Sequence, residues 1–235
     1  MKRRFVFLFA LIFLWSPMSV WSAADLPEFV YFQVDTSEDS DRDVGALVKE
    51  AVQLTHEKPE EARRLYIEVL RKVKDGAQID EYDYLSTQYG LLKSAFDRDT
   101  AEFTKRDYMQ TAENVLAYLD DSTSTGIWEY TTLGEFQMEV YRSAGNGLAW
   151  HLAEESDNET QLLKALEAVD KAEQYIRGVE DYYIYDTKVR VLLKLKRQQE
   201  AYAIVKQVLD EEPGFGGFQD FSANAAYSQW RKANP

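Results

Sequence analysis

Oxygen-bearing side chains come closest to a chemical site early in the chain. Asp39, Asp41 and Asp43, followed by Glu50, stand at positions 1, 3, 5 and 12 of a calcium-loop spacing. That loop turns sharply at position 6, where glycine is needed. Val44 is there, with Gly45 one place late, and no clear helix precedes the run. The same residues serve as a solvated acidic linker that ends in a helix N-cap at Asp43, Glu50 then being an ordinary helix residue. The spacing favours the linker, and no metal or cofactor is expected.

Other chemistry fares no better. Asp120/Asp121 and Glu154/Glu155 could supply acid and base in principle. Glycoside hydrolysis, however, needs two carboxylates facing each other across a cleft with their pKa values pushed apart. Sequence neighbours at helix ends do not provide that. The chain has no cysteine, which removes disulfides, thiol nucleophiles and thiolate metal sites together. His56 and His151 are the two histidines, and His151 sits in a helical stretch that suits packing. Nothing resembles a nucleophile elbow, a P-loop or a dinucleotide fingerprint. No enzyme is expected; a hydrolase with unidentified carboxylates is the remaining catalytic alternative. Asn158-Glu-Thr160 matches a glycosylation acceptor.

The elements that would position any site begin after a leader. Lys2, Arg3 and Arg4 precede the apolar run Phe5 to Trp15, then Pro17 and the small residues Ser19, Ser22, Ala23 and Ala24. This is the layout of a secretory signal, cleaved after Ser22 or Ala24. Pro17 cuts the run well short of the ~20 residues of a membrane span. Residues 1–24 are therefore expected to be removed, leaving no stable membrane insertion and a periplasmic or secreted product. The full chain has 27 basic and 41 acidic side chains, −14 overall; the leader carries three basic residues and no acid, so the mature charge is −17. A body this acidic repels phosphate backbones, which excludes nucleic acid as a partner. With 45% hydrophobic and 14% aromatic residues, it has the material for a core without disulfides.

Residues 25–43 form a flexible acidic lead-in with at most a short strand at Phe29 to Val34. Helical periodicity follows nearly throughout. Expected helices run from Val44 to Thr55, Pro59 to Lys74, Glu81 to Phe96 (with Tyr82, Leu85, Tyr89, Leu92 and Phe96 near one face) and about Thr100 to Leu119. The Asp120–Gly126 segment reads as a loop. A long helix from about Tyr130 to Glu154, with a bend at Ala144–Gly147, comes next. Gln161 to Arg177 (stopped by Gly178), Tyr182 to Leu195 and Gln198 to Glu211 follow, and about Gln219 to Arg231 closes the chain.

Short turns join these helices in pairs, which makes antiparallel hairpins. The second helix of each pair repeats a small residue, an apolar one four later and another three after that. The copies are Ala62/Tyr66/Val69, Ala112/Leu116/Leu119, Ala165/Val169/Ala172 and Ala201/Val205/Val208. One copy would describe any amphipathic helix; four in consecutive second helices predict an all-α α-solenoid of stacked hairpins.

Residues 145–213 carry the pattern further. Tyr185, Leu192, Ala201, Val205 and Pro213 fall on a 34-residue frame, and Gly147 to Ala153 with Ala165, Val169 and Ala172 repeats it with about four extra residues in its turn. This stretch resembles the tetratricopeptide repeat. Lys188 and Val189 depart from the motif, and the spacings Ala62 to Ala112 and Ala112 to Ala165, 50 and 53 residues, lie off its frame. The resemblance implies a TPR-like repeat domain over 44–213 and a C-terminal capping helix over 218–231.

It also implies a binding function. Ligands of that family lie in the groove lined by the first helix of each pair. The frame places Tyr183, Asp186, Arg190 and Lys194 on that face of the last repeat, and Asn146 and Trp150 on the face before it. Arg190 and Lys194 would either clamp a carboxylate or an acidic peptide, or pair locally with Asp186. The expectation is an exported non-catalytic scaffold that binds a protein or peptide partner in the cell envelope. A self-assembling structural subunit is the alternative.

Overall fold

The computed structural model describes residues 20–21, 43–96, 103–124, 132–222 and 224–234. Most of the expected leader, the acidic lead-in up to residue 42, the strand expected at Phe29 to Val34, and the carboxylates of Asp39 and Asp41 lie outside these residues. Within them the chain is almost entirely helical.

Five helices fall as the periodicity predicts, within a residue at their ends: α1 (Val44–Leu54), α2 (Pro59–Lys74), α3 (Glu81–Ala95), α7 (Tyr183–Lys194) and α8 (Gln198–Glu211). Pro59 opens α2, where its missing N–H is no loss. Asp80 caps α3, its carboxylate accepting from Asp83 N at 2.8 Å. Asp43 holds the N-cap position of α1 in an extended conformation, with no side-chain capping bond.

Helix α2 ends in a Schellman turn. Gly76, at φ 102°, donates to Val73 O, and Ala77 N donates to Lys72 O at 2.9 Å. Helix α7 (Tyr183–Lys194) ends in the same motif, with Lys196 N donating to Leu193 O and Arg197 N to Leu192 O. Here Lys196, at φ 60°, occupies the left-handed position that favours glycine.

Three boundaries differ from expectation. Helix α4 (Lys105–Ser124) starts after a reciprocal cap between Thr104 and Asp107 and continues through Asp120, where a loop was expected. Helix continuation wins because Asp120 is held from two other helices, by Tyr141 Oη and by Lys171 Nζ at 2.8 Å. Helix α6 (Glu159–Glu173) starts earlier and stops earlier than expected. Asn158 caps it by accepting from Thr160 N and Gln161 N, and Gly178 is extended backbone rather than the stop. The last expected helix is two, α9 (Gln219–Ser222) and α10 (Ala225–Ala233), because Asn224 restarts the chain by capping Ala226 and Tyr227 N–H groups.

Helix α5 (Thr132–Glu155) runs uninterrupted past Gly145 and Gly147. Each glycine costs about 1 kcal/mol of helix propensity relative to alanine, and close packing offsets it. A Cβ on Gly145 would lie 2.8 Å from Ala168 O, and one on Gly147 would lie 1.9 Å from Tyr108 Oη. These two positions let α6 and a tyrosine of α4 press against α5.

The helices pack in neighbouring pairs along the chain, from α1 on α2 through α7 on α8. The odd-numbered helices also touch in sequence, α1 on α3, α3 on α5 and α5 on α7. Among the described residues, α2, α4, α6 and α8 share no comparable set of contacts. The residues of the four small–apolar–apolar copies are all buried. Two short strands, β1 (Val20–Trp21) and β2 (Ile79–Asp80), pair antiparallel just before α3. β1 lies inside the expected leader. No described helix is long and apolar enough to cross a membrane.

Candidate functional site

The contacts between odd-numbered helices leave three side-chain stripes facing one groove. On α3, Tyr82, Tyr89, Lys93 and Phe96 recur at helical spacing; α5 adds Phe136, Ser143, Asn146 and Trp150, and α7 adds Tyr183, Asp186 and Thr187. Steps of three, four or seven residues keep each set on one side of its helix.

A cavity of about 450 Å³ opens between α3, α5 and α7. Four of its ten lining residues are aromatic, Phe96, Tyr108, Trp150 and Tyr183. This lies within the ~300–1,000 Å³ of pockets that bury most of a small ligand. Tyr108 belongs to α4 and reaches the cavity beneath α5, in the space that Gly147 leaves. Phe96 and Tyr108 pack edge to face at 6.0 Å, and the His151 ring closes on Tyr108 at 4.6 Å. His151 is thus a packed histidine.

A second cavity of about 160 Å³ continues the groove towards α1, between Val52, Tyr82, Tyr89 and Phe136. Tyr82 and Phe136 pack at a tilt with centroids 5.2 Å apart, and Tyr89 meets Phe136 edge to face at 5.7 Å. Gly90 makes room for the Tyr66 ring, whose hydroxyl is 2.8 Å from Thr55 Oγ1. Lys93 lines both cavities and stands between them.

The sequence-derived residues converge on this groove. Asn146, Trp150, Tyr183 and Asp186 all line the larger cavity. Asn146 is 7% exposed, and its Oδ1 has no hydrogen-bond partner among the described residues. An unsatisfied amide oxygen wants an N–H or O–H donor. Tyr183 is 39% exposed at the rim.

Arg190 and Lys194 sit differently. The Arg190 guanidinium lies 5.0 Å above the Trp150 ring and pairs with Asp186 at 3.0 Å, the local i, i+4 arrangement. Lys194 donates to Ala153 O and pairs with Asp157 at 3.1 Å. Both cations therefore have partners within the chain. Asp186 has its pKa raised, since burial outweighs the opposing effect of Arg190. Tyr183 is pushed up to about 12, chiefly by burial and then by Asp181 and Glu139.

A charge network around the buried Arg142 ties α5 to the connection between α6 and α7. Arg142, 1% exposed, donates to Glu139 and to Tyr175 O at 2.9 Å, and lies 3.5 Å from Asp181. Arg177 adds a 3.0 Å pair to Glu139, whose other oxygen accepts from Tyr89. These groups hold the walls in place and face one another rather than the cavity.

Leu92, Lys93, Phe96, Tyr108, Ser143 and Thr187 line the larger cavity without having been singled out as binding residues. Phe96 and Leu92 were legible as one apolar face of α3, but that pattern marks a core as readily as a groove. Ser143 is one turn before Asn146 and could have been found by extending the α5 stripe.

No protein-family model, curated protein or solved structure matches the chain.

Proposed function

We propose that the protein is an exported, non-catalytic helical scaffold that holds a segment of a partner protein in the groove between α3, α5 and α7. The observation that carries this is the cavity of about 450 Å³ lined by Phe96, Tyr108, Trp150 and Tyr183 together with Leu92. Its apolar walls would take a side chain.

In this proposal the helices form a TPR-like α-solenoid of four hairpins, α1/α2, α3/α4, α5/α6 and α7/α8. The sequential contacts of the odd-numbered helices support that stacking. Helix α10 would cap the last hairpin, supported by Tyr202 packing on Tyr227 and Trp230 at 5.5 and 5.7 Å. The leader would direct export, and cleavage after Ser22 or Ala24 would remove β1. The mature protein would then act in the periplasm or outside the cell.

The test compares two charge insertions at exposed apolar residues. Tyr183→Glu alters the groove rim, whereas Leu163→Glu alters an equally open site on α6. A partner captured from the envelope fraction by the mature protein should be lost with Tyr183→Glu and kept with Leu163→Glu. Equal capture by both variants, or self-association alone in analytical ultracentrifugation, would overturn the proposal.

A further inference from the structure

Charge bears on what enters the groove. Of the cations along α3, α5 and α7, Arg142, Lys188, Arg190 and Lys194 each have a carboxylate partner. Among the described residues Lys93 is the exception. It is exposed, its Nζ lies 5.1 Å over the Tyr89 ring, and no carboxylate among the described residues pairs with it.

Its position matters more than its charge. Lys93 lines the larger cavity on one side and the smaller on the other. Exposed apolar side chains flank it along the same face, Tyr183 towards α7, and Tyr82 and Val52 at 54% and 49% exposure towards α1. The groove therefore offers an apolar pocket, a free cation and a second apolar pocket in a row.

We infer that the partner segment carries a single acidic residue between two apolar anchors, the carboxylate meeting Lys93 and the anchors filling the two cavities. This inference rests on the groove function proposed above and adds the chemistry of the ligand. The overall acidity limits the match to one carboxylate. A Debye length of about 8 Å at physiological salt leaves a contact with Lys93 intact but does not relieve an acidic run from the surrounding negative charge. Binding of the single acid should weaken with salt only modestly, because one charge pair is involved.

A random nine-residue peptide library displayed on phage, selected on the mature protein, reads the preference directly. Enriched sequences should place one Asp or Glu between apolar residues. Synthetic peptides with that acid replaced by Ser should bind about fivefold more weakly, the scale of one partly exposed charged hydrogen bond. Lys93→Gln should abolish that difference, and Lys93→Glu should enrich Lys or Arg at the same place. Because Lys93 is exposed, unchanged circular dichroism and melting should accompany both variants. Enrichment without an acid, or a preference insensitive to Lys93→Glu, would overturn the inference while leaving a groove that binds apolar segments. Failure to enrich any peptide would also overturn it, and the envelope capture with Tyr183→Glu would then decide the groove function separately.

Discussion

Replacing Gly147 by alanine sets two physical effects against each other. On propensity alone the substitution stabilises a mid-helix position by about 1 kcal/mol. The groove demands the opposite. The new Cβ would lie 1.9 Å from Tyr108 Oη, 2.8 Å from its Cζ and 3.1 Å from Cε1, so the ring itself must move. Tyr108 is almost fully buried and packs against Phe96 and His151, which leaves little room to give. Forcing extra volume into a packed site costs ~1–3 kcal/mol, and partial loss of a buried aromatic adds to it. A gross cost near 3 kcal/mol less the propensity gain gives a net loss of about 2 kcal/mol. In a domain of ~200 residues this lowers the melting temperature by roughly 4–8 °C. Urea unfolding followed by tryptophan fluorescence measures it as a lower midpoint at unchanged slope. Adding Tyr108→Phe should restore part of the loss by removing the closest atom. Gly216→Ala, with no atom within 4 Å of its would-be Cβ, should be neutral or slightly stabilising. If Gly147→Ala raises the midpoint, helix propensity outweighs packing and Tyr108 does not hold the cavity wall as described.

Two further outcomes follow from the charges around the groove. Arg142→Met removes the buried cation that Glu139 and Asp181 share and leaves only the largely exposed Arg177 beside them; a loss of about 3 kcal/mol, the low end for breaking a buried pair, is expected in urea unfolding. For Asp186 the folded-state pKa lies above the unfolded one, so its ionisation opposes folding. That penalty is absent while the group is protonated in both states and is complete above the folded pKa. The stability of Asp186→Asn relative to the native protein should therefore rise as pH increases from about 3.5 to 7, and a flat or falling difference would contradict the burial argument.

Local chemistry made most of the helices legible. Pro59 and Gly76 mark ends that depend on a few neighbouring residues, and the structure uses them in those roles, whereas Asp43, expected as an N-cap, makes no side-chain capping bond. The Schellman turn at Lys196 was not legible, because a lysine carries no sign of the left-handed backbone that Arg197 N and Leu192 O impose. Nor was the helical path through Asp120, whose partners Tyr141 and Lys171 are 21 and 51 residues away.

The candidate site divides in the same way. Periodicity alone placed Tyr82, Tyr89 and Phe96 on one face, and the repeat frame selected Asn146, Trp150, Tyr183 and Asp186, because spacing along a helix determines which side chains share a side. Whether a face closes on a neighbour or opens as a cavity depends on backbone separations, which Gly145 and Gly147 set only once α4 and α6 are in place. Charge pairing is likewise a property of the packed chain. Arg190 and Lys194 stood out in the sequence, yet Asp186, Trp150 and Asp157 occupy them. Lys93 was one lysine among many until the fold left it without a carboxylate between two apolar hollows.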